Sequence, residues 1–92
     1  MSFTSLGFDV AAAYEPITPL TQVRVIAATG QTENFGWFHI DMAQAGIISS
    51  LHGRTVPGGT LGHVIGTQGN FVRVQTQGFG ALWFMSQYVR TN

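Results

Sequence analysis

The segment Gly69-Asn70-Phe71-Val72-Arg73-Val74-Gln75-Thr76-Gln77-Gly78-Phe79-Gly80-Ala81-Leu82-Trp83-Phe84-Met85-Ser86-Gln87-Tyr88-Val89 decides how this chain folds. Val72 and Val74 alternate with Arg73 and Gln75, which is the two-residue period of a half-buried strand. Residues 77–80, QGFG, break that period with two glycines, as a turn does. Residues 81–85, ALWFM, then resume as an apolar run. The run is too short for a helix between such turns and is rich in side chains that fit a pleated surface. Two strands joined this closely predict an antiparallel hairpin.

Working outward, Thr67-Gln68-Gly69-Asn70 supplies a tight turn into that hairpin from a strand over residues 61–67. Gly62 and Gly66 flank and interrupt this strand, where bulges or sharp bends are expected. Residues 21–28 put Val23, Val25 and Ala27 on one face and Gln22 and Arg24 on the other, and residues 29–34, TGQTEN, read as a polar loop. Residues 36–41 predict a second strand, with Trp37 and His39 opposite Phe38 and Ile40, apolar enough on both faces to be covered twice. One helical turn fits residues 41–45, with Asp41 as its N-cap and Gly46 as its stop. Residues 46–52 read as a short strand around Ile47, Ile48 and Leu51, and residues 53–62, holding Pro57, Gly58 and Gly59, as a loop.

Residues 1–20 carry Phe3, Leu6, Phe8, Val10, Tyr14, Ile17 and Leu20, interrupted by Gly7, Pro16 and Pro19. Gly7 and Pro16 weaken a helix here and predict an extended N-terminal arm ahead of a domain over residues 21–92. Its aromatic side chains need burial, either over the chain's own sheet or against a neighbour. The pair Trp37-Phe38 returns as Trp83-Phe84, each downstream of a Val-Arg-Val triplet. Two similar hairpins packed together explain the echo, and so does chance.

From residue 53 to residue 90 the order is loop, strand through Leu61-Gly62-His63-Val64-Ile65-Gly66, tight turn at Gly69-Asn70, Phe71-Val72-Arg73-Val74, turn, Leu82-Trp83-Phe84, then Ser86-Gln87-Tyr88-Val89. This resembles the second half of Src-homology-3-like (SH3-like) small barrels, including bacterial ones. The resemblance implies an all-β fold, a small barrel of five or six short antiparallel strands with a short 3₁₀ turn near the C-terminus. The acidic cluster before Leu61 and the Ala-Leu-Tyr-type start of the peptide-binding signalling members are absent, which argues against proline-peptide recognition.

Composition bounds the function. At 92 residues this is one domain, and a chain so short buries only roughly 60–65% of the surface its unfolded form exposes. No cysteine is present to add a disulfide or a thiolate metal site. Four Arg, two Asp, two Glu and no Lys give 9% charged residues and a net charge of zero, against about 25–35% on a freely soluble surface. Such a chain has little electrostatic protection against association, and oligomerisation is the usual remaining support for a small core. Arg24, Arg54, Arg73 and Arg90 are scattered and balanced by Asp9, Glu15, Glu33 and Asp41, so a nucleic-acid partner is disfavoured. No apolar run reaches membrane-spanning length, and the N-terminus lacks the pattern of a signal peptide. The chain is therefore expected to be made and kept in the cytoplasm, or assembled there into a particle such as a virion.

No chemistry-bearing constellation stands out. His39, His52 and His63 are spaced 13 and 11 apart, which matches no compact metal motif, so no metal and no cofactor are expected. Ser49 and Ser50 near His52 lack the strained turn and oxyanion hole of a serine nucleophile. The carboxylates lie on four separate elements, and without Lys there is neither a Schiff base nor a phosphate-loop lysine. What remains is aromatic: Phe3, Phe8, Tyr14, Trp37, Phe38, Phe79, Trp83 and Tyr88 are the interface candidates, most of the ring set filling the barrel and the exposed remainder anchoring partners.

The expectation is a non-enzymatic building block that oligomerises with itself or docks on other structural proteins, most concretely a phage virion accessory subunit for capsid decoration or head-tail completion. A cell-wall or peptide-binding SH3-like module is the alternative. The third reading is a pore enzyme like the plasmid-borne dihydrofolate reductases, which are similar small barrels; their V-Q-I-Y motif is absent, the nearest stretch being Val74-Gln75-Thr76-Gln77.

Overall fold

A computed structural model describes residues 21–92. The arm over residues 1–20, with Phe3, Phe8 and Tyr14, lies outside the described residues. The chain runs β1 (Gln22–Val25), β2 (Glu33–Trp37), α1 (Ile40–Ala45), β3 (Gly53–Pro57), β4 (Thr60–Gln68), β5 (Phe71–Thr76), β6 (Gly80–Met85), a 3₁₀ turn (Ser86–Tyr88) and β7 (Val89–Thr91). The fold is all-β, as expected. The described residues form seven strands where five or six are expected, all antiparallel, in the order β3-β2-β6-β5-β4-β1-β7.

That order forces the sheet to curl. β3 and β4 are joined by Gly58 and Gly59 alone, yet β2, β6 and β5 stand between them. In a flat sheet the gap would be about 19 Å, beyond the roughly 11 Å that three Cα–Cα steps can cross. The concave side therefore encloses a core, made by Val23 and Val25 of β1, Val56 of β3, Val74 of β5 and Leu82 and Phe84 of β6. Each pair within one strand sits two residues apart, so alternation alone places them inside. β4 turns the corner: residues 60–63 pair with β1, residues 62–68 with β5, and the register slips between Val64 and Gly66. That irregularity falls where the glycine pattern predicts a bulge.

Several local expectations are corrected. The second strand is Glu33–Trp37 rather than residues 36–41, because Trp37 and His39 are as apolar a face as Phe38 and Ile40 and periodicity cannot choose the register. Residues 53–57 form β3 rather than a loop; Pro57 is tolerated because β3 is an edge strand and Pro57 ends it. Residues 46–52 are not a strand but turns. The helix spans Ile40–Ala45, with His39 and not Asp41 at its N-cap, while Gly46 ends it as expected. Gly46 has φ 70°, and the bonds Gly46 N–H to Ala43 O and Ile47 N–H to Met42 O, both 3.1 Å, make a Schellman motif. Of the two hairpins suggested by the Trp-Phe echo only the second, β5–β6, forms, since β1 pairs with β4 and β7 rather than β2. The echo survives in one contact, Trp37 standing opposite Trp83.

A Cβ at Gly36 would stand 2.8 Å from Leu82 Cβ and from two atoms of the Phe84 ring. Gly36→Ala is thus expected to lower stability by about 1–3 kcal/mol through overpacking, and Phe84→Ala by about 3–5 kcal/mol. Urea unfolding followed by tryptophan fluorescence checks both.

Candidate interaction surface

The outer face of β2 builds a second, smaller apolar layer. Strand alternation turns Phe35 and Trp37 away from the core that Gly36 borders. Trp37 meets Phe35 edge-on at 5.3 Å and Phe71 at 6.1 Å between ring centroids. Beside it α1 buries Ala43. The Trp37 indole Nε1–H donates to the Ile47 carbonyl at 2.9 Å, so the indole has the polar partner a buried tryptophan needs. Trp37 is only 6% exposed.

That hydrogen bond and the Schellman motif pin Ile47 from both sides, and the residues after it project outward. A turn closes from the His52 N–H to the Ser49 carbonyl at 2.9 Å, with the Leu51 N–H reaching the Ser49 hydroxyl at 3.3 Å. Ile48 is 67% exposed and Leu51 82%, and Phe38 at the base of the segment is 38% exposed. Isolated exposed aliphatics are ordinary, but Phe38, Ile47, Ile48 and Leu51 belong to one short excursion of the chain, and such patches mark contact surfaces.

Two open grooves flank Ile48. The larger, about 570 Å³, is lined by Phe35, Phe38, Ile48, Ser49, Ser50, Gly53, Arg54 and Thr55. The smaller, about 310 Å³, shares Phe35, Ile48 and Thr55 and adds Trp37, Met85 and Tyr88. Hydrogen bonding with the Gln87 side chain, and then with Thr29, holds the Tyr88 hydroxyl below the usual tyrosine pKa. Arg54 lies over the Phe79 ring, 4.8 Å from its centroid, a cation–π contact that ties β3 to the β5–β6 turn.

The interface candidates are thus spread over two environments. Phe38 is exposed and Tyr88 half-buried, each lining a groove. Trp37 is buried beneath them, Phe79 packs on the core, and Trp83 is half-buried opposite Trp37. Sequence reasoning misses Ile47, Ile48 and Leu51 as surface residues, because an aliphatic cluster reads as buried strand. It misses Asn34 as well; the Asn34 amide donates to the Ile26 carbonyl at 2.9 Å and its Oδ1 accepts from the Phe35 N–H at 2.8 Å. Nothing but a buried position distinguishes this Asn from its polar loop neighbours.

Among the described residues, no group of three or more His, Asp or Glu gathers closely enough to hold a metal ion. No helix among them is long and apolar enough to cross a membrane. The chain matches no family model, no curated protein and no solved structure.

Trp37→Phe keeps the ring but removes the donor to Ile47. The expected result is a stability loss of about 1–2 kcal/mol, with faster amide exchange at Ile47, read by hydrogen-exchange NMR.

Proposed function

We propose that this protein is a non-enzymatic assembly subunit, acting by self-association or by docking on a larger structural complex. The observation that carries this reading is the exposed row Phe38, Ile47, Ile48 and Leu51, displayed beside two grooves by a chain with 9% charged residues. Full burial of an aliphatic side chain contributes about 1.5–3 kcal/mol, so covering the whole row in a contact offsets a substantial part of what association costs. The most concrete version is a phage virion accessory subunit, for capsid decoration or head-tail completion. Composition supports that step: Thr and Gln provide much of the polar exterior, and charge is scarce.

The strand order supports an SH3-like barrel as the finer description. A first strand pairs with both the last strand and the long bent β4, then comes a three-strand meander, with a 3₁₀ turn before the final strand. In that description β2, α1 and β3 form an elaborated excursion between the first strand and the meander.

A second reading, a cell-wall or peptide-binding module, is favoured by Phe35, Phe38 and Tyr88 around the grooves. The larger groove lies against residues 48–55, and the smaller runs from Gln31, Glu33 and Asn34 toward Met85 and Tyr88. Retention on peptidoglycan would favour this module over the assembly subunit.

Sedimentation across micromolar concentrations tests the assembly reading. The wild-type chain is expected to associate, and Ile48→Ser/Leu51→Ser to weaken association tenfold or more with an unchanged far-ultraviolet spectrum. A wild type that stays monomeric throughout, and is indifferent to deletion of residues 1–20, would count decisively against it.

A further inference from the structure

Among the described residues, edge strand β3 carries a row of backbone groups without strand partners. The bonds from Phe38 N–H to His52 O, 2.9 Å, and from Gly58 N–H to Thr32 O, 3.0 Å, bracket the β2–β3 ladder and set its phase. Bonded and non-bonded positions alternate in an antiparallel pair. Arg54 and Val56 therefore turn their backbone groups toward β2, whereas Gly53 and Thr55 turn theirs away. Among the described residues no strand lies beyond β3. Gly53 and Thr55 also line the larger groove, walled by Phe35, Phe38 and Ile48. An apolar trough beside unpaired N–H and C=O groups is the chemistry that takes up an extended segment by strand addition.

Residues 6–10, Leu6-Gly7-Phe8-Asp9-Val10, fit that trough in spacing and charge. Set antiparallel with Phe8 opposite Thr55, they bring Asp9 opposite Arg54, Val10 opposite Gly53 and Leu6 opposite Pro57. Phe8 and Val10 then share the face that Thr55 shares with Phe35, its register partner on β2. Asp9 and Arg54 make an oppositely charged cross-strand pair on the other face. Gly7 falls opposite Val56, and pairing ends at Pro57, which has no N–H to offer.

We propose that residues 6–10 of a neighbouring copy add to β3 as a further strand, linking copies by exchanged arms; this rests on the assembly reading and names its contact. The arm enters β1 at the end that pairs with His63 and Thr91. Of the two edges of the described sheet, β3 and β7, the β3 edge is the one beside the groove, and the turn after it packs Gly58 against Ala27, beyond the opposite end of β1. Residues 11–20 reach up to about 33–36 Å when extended, enough to bridge to an adjoining copy. An arm-to-edge contact of this kind is heterologous, so it builds rings or filaments rather than closing as a two-fold dimer.

Two full-length variants test this. Thr55→Pro removes an N–H that faces away from β2 and so spares the β2–β3 ladder, while Phe8→Asp spoils the donor segment. Each alone is expected to associate at least about tenfold more weakly than wild type by sedimentation. Mixed in equal amounts they are expected to form a one-to-one complex, since one retains an intact arm and the other an intact edge. In the wild type, amide exchange at Gly53 and Thr55 is expected to slow as concentration rises. If Thr55→Pro unfolds the chain, a charge exchange reads the same contact: Asp9→Arg or Arg54→Asp alone weakens association, and the two combined restore it. Variants that assemble like wild type, a mixture that stays monomeric, or exchange at Gly53 and Thr55 that ignores concentration would each overturn the proposal. A wild type that never associates defeats the assembly reading itself, so the two failures are distinguishable.

Discussion

Where β2 meets β6 there is room for backbone and nothing more. Leu82 and Phe84 occupy the space in which any side chain at Gly36 would stand, and this close approach lets Trp37 register directly against Trp83. The outer face depends on that contact. Trp37 gathers Phe35 and Phe71 around its ring and holds the Ile47 carbonyl. The Schellman motif at Gly46 fixes the same residue from the helix side. Ile48 and Leu51 are displayed because the residue before them is held twice, so a steric constraint in the core sets the shape of the surface.

The fully buried core is small, and polar side chains close the sheet where apolar area runs short. Thr60 donates to the Pro57 carbonyl at 2.6 Å across the β3–β4 turn, and Thr76 to the Gly80 carbonyl at 2.7 Å across the β5–β6 turn. Asn34 ties the segment after β1 to β2. Each such bond contributes about 1 kcal/mol net, a meaningful share for a domain of this size. These residues are buried or nearly so, so the Thr content of the chain belongs partly to its interior rather than wholly to its exterior.

What the sequence shows plainly is the meander. The alternation through Val72 and Val74 and the glycines at Gly69, Gly78 and Gly80 mark β5 and β6 to within a residue, because β5 has one clearly apolar face and β6 is a short apolar run that begins at a glycine turn. Legibility fails between residues 33 and 57 for a physical reason. Trp37 and Phe38 are adjacent and both aromatic, so neither face of β2 declares itself. In β3, Pro57 and its glycine neighbours imitate a loop, although Arg54, Thr55 and Val56 alternate properly. The candidate surface is hidden by the same logic: Ile47, Ile48 and Leu51 have the composition of a core strand, and only their exposure in the folded chain separates them from one. Phe38 and Tyr88 are anticipated as aromatic anchors; the aliphatic part of the surface is not.

The pairing of β1 with β7 bears on the order in which the molecule takes shape. β4, β5 and β6 meet through turns of a few residues, whereas β1 must wait for a strand more than sixty positions away before both its sides are satisfied. Closing so long a loop delays any gain until distant partners have met. The first strand of the described residues therefore depends on the last for its second partner, and its seating carries the largest loop-closure cost in the sheet.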